Sequence, residues 1–190
     1  MATGRGATLA RPVAPSRRLS QRISEGDGIA IVVRVSDVES ARVAEAQGAK
    51  ALALDVPVEG VREATSLPLL WLGDGEYGDV DAVVIPPRRE VEDDLEIVVE
   101  VRDDTELASA LDESDPEIFL LSPSRDRDAD PLETVLELLP DVPAGKLAIA
   151  RLGVTTPDEV GELERAGFDA VLVGSGDDIA ALVGDATPEV

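Results

Sequence analysis

Eight short apolar runs, separated by segments of helical pattern from residue 28 onward, constrain this chain more than any other feature. They lie near 28–35 (GIAIVVRV), 50–54 (KALAL), 68–72 (PLLWL), 81–85 (DAVVI), 95–101 (LEIVVEV), 117–121 (EIFLL), 146–150 (KLAIA) and 169–173 (DAVLV). Each is nearly continuous Val, Ile, Leu and Ala rather than an alternation of apolar and polar residues. That is the pattern of a strand covered on both faces within a parallel sheet. The helix starts between them are marked. Ser36-x-x-Glu39, Asp103-x-x-Glu106 and Thr156-Pro157-Asp158-Glu159 each set an N-cap oxygen three residues ahead of a glutamate that can bond back, and Pro157 suits the first helical position. Gly48 and Gly167 stand where a left-handed C-cap is wanted. The stretches SDVESARVAEAQGAKALAL and TPDEVGELERAGFDAVLV repeat the same order of cap, helix, glycine stop and strand, so one βα module recurs.

Eight such units favour a compact α/β fold, a (β/α)8 TIM barrel, with a flavodoxin-like open sheet as the competing arrangement. The chain has 190 residues, and a typical barrel needs about 250. The saving falls in the third and fourth units, where GDGEYGDV is too short and glycine-rich for a full helix and PPRREVEDD is clipped. Residues 25–190 therefore read as a single barrel domain. Residues 1–24 read as a flexible basic arm, with five arginines, no acid and no apolar stretch of the kind a secretory signal requires.

Composition narrows the partners. Forty acidic residues against seventeen basic ones give a net charge of -23, which repels nucleic acid and anionic membrane alike. No apolar run approaches the eighteen residues of a membrane-spanning helix, so a cytoplasmic protein is expected. Cysteine and histidine are absent, which removes thiolate nucleophiles, imidazole bases and the usual zinc and haem ligands; no metal or other cofactor is expected. Asp126-x-Asp128-x-Asp130 mimics part of a calcium loop, but Pro131 occupies the position where that loop turns on glycine. Any chemistry falls to Asp, Glu, Ser, Arg and the two lysines, Lys50 and Lys146.

Glycine turns mark a candidate anion site. Gly153 follows the seventh run, and Gly174-Ser175-Gly176 follows the eighth and leads into DDIAALV. In barrels of this kind the loops after strands 7 and 8, with a short helix N-terminus, often bind phosphate through bare backbone N–H groups. Asp177 and Asp178 oppose such a ligand unless they point away.

Residues 95–176 resemble the second half of an indole-3-glycerol-phosphate synthase. In that family the fifth strand reads roughly VEVHDEEEL, the sixth ends INSRDL, the seventh gives AESGIST and the eighth VLVGES. Here stand Val99-Glu100-Val101-Arg102-Asp103, Ser122-Pro123-Ser124-Arg125-Asp126, Ala150-Arg151-Leu152-Gly153 and Leu172-Val173-Gly174-Ser175. The first strand, IAIVVRVS, is similar to the family's IAEIKRAS. The resemblance implies a lyase of tryptophan biosynthesis that closes an indole ring on a phosphorylated carboxyphenylamino-deoxyribulose, using lysines on strands 1 and 3 and glutamates on strands 1, 5 and 7. Carried over residue by residue, most of that equipment is missing. The strand-1 glutamate falls on Ile31 and the lysine on Val33, the strand-3 lysine on Leu72, the strand-6 asparagine on Pro123, and the strand-7 glutamate on Arg151. A shift of one residue brings Arg34 to the strand-1 lysine position, where arginine stays protonated and makes a poor proton donor. Of the catalytic acids Glu100 alone survives. Arg125, Gly153, Gly174 and Ser175 match substrate- or phosphate-side positions of the family. From the residues themselves, Arg151 joins Arg125 as a candidate substrate-binding pair at the rim, able to grip a carboxylate or phosphate, and Gly176 joins the candidate phosphate turn.

The expectation is therefore a synthase-like barrel that binds a phosphorylated small molecule with lost or repurposed catalysis. Such a barrel could serve as a homo-oligomer or an accessory subunit; a divergent but active synthase, and a barrel kept for assembly with another protein, are the competing readings.

Overall fold

A computed structural model describes residues 18–26, 28–89, 94–125, 130–153, 156–174, 176 and 178–183. All eight expected strands are present: β1 (Ala30–Arg34), β2 (Ala51–Leu54), β3 (Leu69–Trp71), β4 (Ala82–Ile85), β5 (Glu96–Val101), β6 (Ile118–Leu121), β7 (Leu147–Arg151) and β8 (Ala170–Val173). Neighbours pair in chain order and in parallel, and β1 closes on β8 in the register Ala30 to Ala170 through Val33 to Val173. The fold is a closed (β/α)8 barrel. Closure excludes the flavodoxin-like alternative.

Helix α1 (Arg18–Ser24) precedes the barrel, and α2 (Val38–Ala46), α3 (Val61–Ala64), α4 (Asp104–Glu113), α5 (Pro131–Leu138), α6 (Pro157–Ala166) and α7 (Ile179–Leu182) follow β1, β2, β5, β6, β7 and β8. Among the described residues no helix follows β3 or β4, in line with the clipped segments. The second unit is trimmed as well, since α3 is a single turn. Trp71 compensates: its side chain leaves β3 outward and joins Val61, Val80 and Tyr77 in the apolar layer that a longer helix would otherwise cover. Among the described residues no helix is long and apolar enough to cross a membrane.

The caps follow the sequence with two changes. Thr156 and Glu159 form the expected capping box on α6, and Gly167 ends that helix at φ 106°. On α2 the N-cap is Asp37 rather than Ser36. Its carboxylate accepts from the Ser40 backbone N–H at 2.7 Å, and the Ser40 hydroxyl completes the box. A carboxylate one residue nearer the helix outcompetes the Ser36 hydroxyl as acceptor. On α4, Asp103 caps as expected, but Glu106 bonds back to the Arg102 N–H, one residue earlier than a standard box requires.

The side chains divide into two layers. Ile31, Val33, Leu52, Leu54, Val99, Val101, Val171 and Val173 face outward and pack with Ala41, Leu107, Val135 and Leu163 of the helices. Ala30, Val32, Ala51, Ala53, Leu70, Ala82, Val98, Ile118, Leu120, Ile149, Ala170 and Leu172 fill the interior. On β1, β2, β4 and β8 that interior is rich in alanine, which leaves room at the base. Leu19 and Ile23, one helical turn apart on α1, belong to the same buried cluster and fill it. The reading of residues 1–24 as a flexible arm is corrected here: residues 18–24 form a helix because this pair gives it an apolar stripe to bury. Residues 1–17 lie outside the described residues.

Two buried carboxylates hold α1 against the base. Glu96, at the start of β5, accepts from the backbone N–H groups of Leu19 and Ser20 at 2.9 and 2.8 Å, satisfying donors that a helix N-terminus leaves open. Asp81 takes Arg18 at 2.8 Å, Arg62 at 2.7 Å and the Leu69 N–H at 2.9 Å. Burial pushes the Glu96 carboxyl above its ordinary 4.5, with the Ser20 and Leu19 donors opposing and the Asp81 charge adding to the rise. A carboxyl raised in the folded state contributes most below its unfolded value, and that contribution is lost as pH climbs through the folded value. Wild type compared with Glu96→Gln is therefore expected to lose relative stability as pH rises from below 4.5 toward neutrality. Urea unfolding across that range measures it, and a difference that stays flat or grows with pH contradicts the burial argument. Glu45 works in the opposite sense: hydrogen bonds from Ser66 and Thr65 lower its carboxyl, so its contribution is lost on acidification. The comparison at fixed pH cancels that background.

Candidate functional site

The C-terminal ends of the strands form the mouth, and strand alternation decides which side chains enter it. Counting from the interior residues Val32, Ala53, Val98 and Ile149, the next inward positions are Arg34, Asp55, Glu100 and Arg151. Leu72 and Val84 pack against the interior cluster from the same end, and Leu172 belongs to it. The mouth thus has an apolar floor ringed by charge.

Glu100 is the centre of that ring. Its Oε1 accepts from Arg151 Nη1 at 2.8 Å and from the Ser122 hydroxyl at 2.7 Å, while Oε2 pairs with Arg102 Nη2 at 2.7 Å. The carboxylate side chain is 13% exposed, against 24% for Arg102 and 33% for Arg151. A charge so far withdrawn from water must be paired, and here one anion is shared by two cations. Ser122 is itself buried. Both oxygens of Glu100 are engaged, so the group orients two guanidinium planes rather than standing free to move a proton. Two forked donors at the mouth of an apolar barrel suit an oxyanion, which guanidinium recognises in bidentate geometry. A second pair, Arg34 with Asp55, bridges the ends of β1 and β2.

The expected site residues separate into three groups. Glu100 and Arg151 come together although they are 51 positions apart and on strands that are not neighbours. Arg125 is exposed beyond the end of β6, outside the set of side chains bonded to Glu100. Gly153 and Gly176 are exposed, and a Cβ added at either would meet open space. Neither has a positive φ. Internal packing and backbone conformation thus do not demand glycine there, whereas Gly167, in the left-handed region, is demanded by conformation. Gly174 is exposed at the end of β8, and Ser175 lies outside the described residues. Asp178 turns its carboxylate onto the Ala181 N–H of α7. Asp130 is likewise spent as the N-cap of α5, accepting from Leu132 and Glu133; Asp126 and Asp128 lie outside the described residues. Among the described residues no group of three or more acidic side chains is placed to hold a metal ion.

One assignment from the first strand is corrected. Ile31 and Val33 point outward into the helix layer, so they cannot stand in for residues that work inside a barrel. The inward pair is Val32 and Arg34, which is the register shifted by one residue. The conclusion for proton transfer is unchanged, because an aliphatic side chain and a guanidinium replace the acid and the lysine. Leu72 does sit at the mouth, as expected. Lys50 and Lys146 precede β2 and β7 at the opposite end, and Lys146 is bound to Asp115 at 2.9 Å. Ser122 and the Arg34–Asp55 pair were not singled out from sequence as a site. Stepping by two from the interior alanines and valines would have found Arg34 and Asp55.

No family model matches the chain. Several curated proteins named indole-3-glycerol phosphate synthase are similar to about half of it. The protein from Acidithiobacillus ferrooxidans is 37% identical over 93 residues, 49% of this chain and 35% of its own length. That from Chlorobium phaeovibrioides is 39% identical over 84 residues, 43% of this chain and 32% of its own length. That from Albidiferax ferrireducens is 33% identical over 112 residues, 59% of this chain and 40% of its own length. The chain thus aligns with well under half the length of these relatives.

Proposed function

We propose that this chain is an indole-3-glycerol-phosphate-synthase-like barrel that binds a small phosphorylated metabolite at its C-terminal mouth and does not close the indole ring. The observation that carries the reading is the Arg102–Glu100–Arg151 cluster. It supplies paired cationic donors in a protein of net charge -23, at the end of the barrel where no lysine stands. Ring closure needs a positioned general acid and a general base. The surviving carboxylate is bound on both oxygens, and the inward positions at β1 and β3 carry Arg34 and Leu72. The open space around Gly153 and Gly176 supports a phosphate end of the site at the loops after β7 and β8. Regulation or metabolite capture, rather than turnover, fits this equipment.

A thermal-shift screen of the full chain with sugar phosphates, sulfate and anthranilate tests the reading. At least one sugar phosphate is expected to raise the melting temperature, and Gly174→Asp, which places a carboxylate at the end of β8, is expected to abolish the rise. No shift with any anion removes the proposal.

A further inference from the structure

Glu100 is shared by two guanidinium groups that reach it from different strands. Arg102, just past the end of β5, meets Oε2 through Nη2 at 2.7 Å, and Arg151, which ends β7, meets Oε1 through Nη1 at 2.8 Å. The Ser122 hydroxyl donates to Oε1 at 2.7 Å and fixes the carboxylate from the β6 side. Each guanidinium is engaged by Glu100 through one nitrogen of a fork that holds five N–H groups. The cluster carries one net positive charge. Across the ring, Arg34 at the end of β1 is matched by Asp55 after β2, so that pair adds none.

We propose that Glu100 is a specificity-determining residue, which limits the seat formed by Arg102 and Arg151 to an oxyanion of single charge. The inference deepens the function proposed above and rests on it. With the carboxylate in place, a singly charged group neutralises the cluster. A doubly charged group leaves an excess negative charge beside a Glu100 side chain that is only 13% exposed, where water screens it poorly, and the chain's own net charge of -23 gives no relief. A phosphate monoester carries about −1.5 to −2 at neutral pH. The phosphorylated end of the ligand therefore belongs at the loops after β7 and β8, and the cluster takes a second group of one charge, of carboxylate or sulfonate type. A glutamate at position 151, as the resemblance would have it, reverses the sign of the cluster. The selectivity thus belongs to this chain's own residues.

The full chain is titrated calorimetrically, at one low ionic strength, with sulfate and with methanesulfonate, which present similar tetrahedral oxyanions of two charges and one. Repulsion from a single carboxylate scales with the charge of the ligand. Glu100→Gln, which keeps the size of the side chain and one oxygen acceptor, is therefore expected to tighten methanesulfonate about threefold and sulfate about tenfold. The ratio of the two affinities moves about threefold toward sulfate. A Glu100 that served structure alone would change both affinities alike and leave the ratio still. Arg102→Gln, with Glu100 intact, is expected to move the ratio by a similar factor toward methanesulfonate, and it supplies the reading should Glu100→Gln not fold. Saturable heats whose ratio stays put, or moves the opposite way, overturn the charge filter and leave the proposed function standing. No saturable heat from either anion removes the anion seat itself, and the filter with it.

Discussion

A tryptophan auxotroph that lacks indole-3-glycerol-phosphate synthase is expected not to grow when this chain is its only replacement. The argument is one of magnitude. A positioned acid or base contributes a factor of about 100 to 10,000 each, so losing both lowers ring closure by roughly 10,000-fold or more. Here the strand-1 position holds Arg34, the strand-3 position holds Leu72, and Arg151 stands where the resemblance expects a glutamate. Arg151 also pulls the remaining acid, Glu100, into an ion pair. Restoring one lysine at position 72 would leave Glu100 bound and Arg151 in place, so Leu72→Lys alone is not expected to rescue growth. Growth at a normal rate on the unaltered chain would contradict the assignment of all three positions.

The largest structural effect is expected at the base of the barrel. Leu19 is fully buried among the interior alanines and valines. Truncating such a leucine leaves a cavity and costs about 2–5 kcal/mol, which for a chain of this size lowers the melting temperature by roughly 2–4 °C per kcal/mol. Val56→Ala is the control for Leu19→Ala, since Val56 is 56% exposed and surface changes of this type fall within about 0.5 kcal/mol. Denaturant unfolding of the two variants measures both. Equal effects would mean that α1 is not part of the folded unit.

The strands were legible because each is a continuous apolar run, and the same feature hid which way its side chains point. A run such as Ile31-Val32-Val33 has no alternation, so nothing within it distinguishes the helix-facing residues from those in the interior. Only the polar residue that ends the run breaks the symmetry, as Arg34, Glu100 and Arg151 do. Reading the phase from those ends places Ile31 and Val33 outside. The α1 plug was hidden for a different reason. Its seven residues hold two apolar side chains within an arginine-rich segment, and their value depends on five alanines from β1, β2, β4 and β8 that leave room for them. The Glu100 cluster needed the barrel register, because its members come from β5, the end of β6 and β7. The short α3 and the outward Trp71 likewise became visible only once the missing helices left a surface to cover.

The most direct measurement offers the full chain the phosphorylated carboxyphenylamino-deoxyribulose itself and follows heat of binding and indole fluorescence in one titration. The account predicts a saturable heat, weakened by Arg151→Ala, with no indole-3-glycerol phosphate formed. Indole-3-glycerol phosphate accumulating at a rate typical of a working enzyme, or no heat at any concentration, would contradict it.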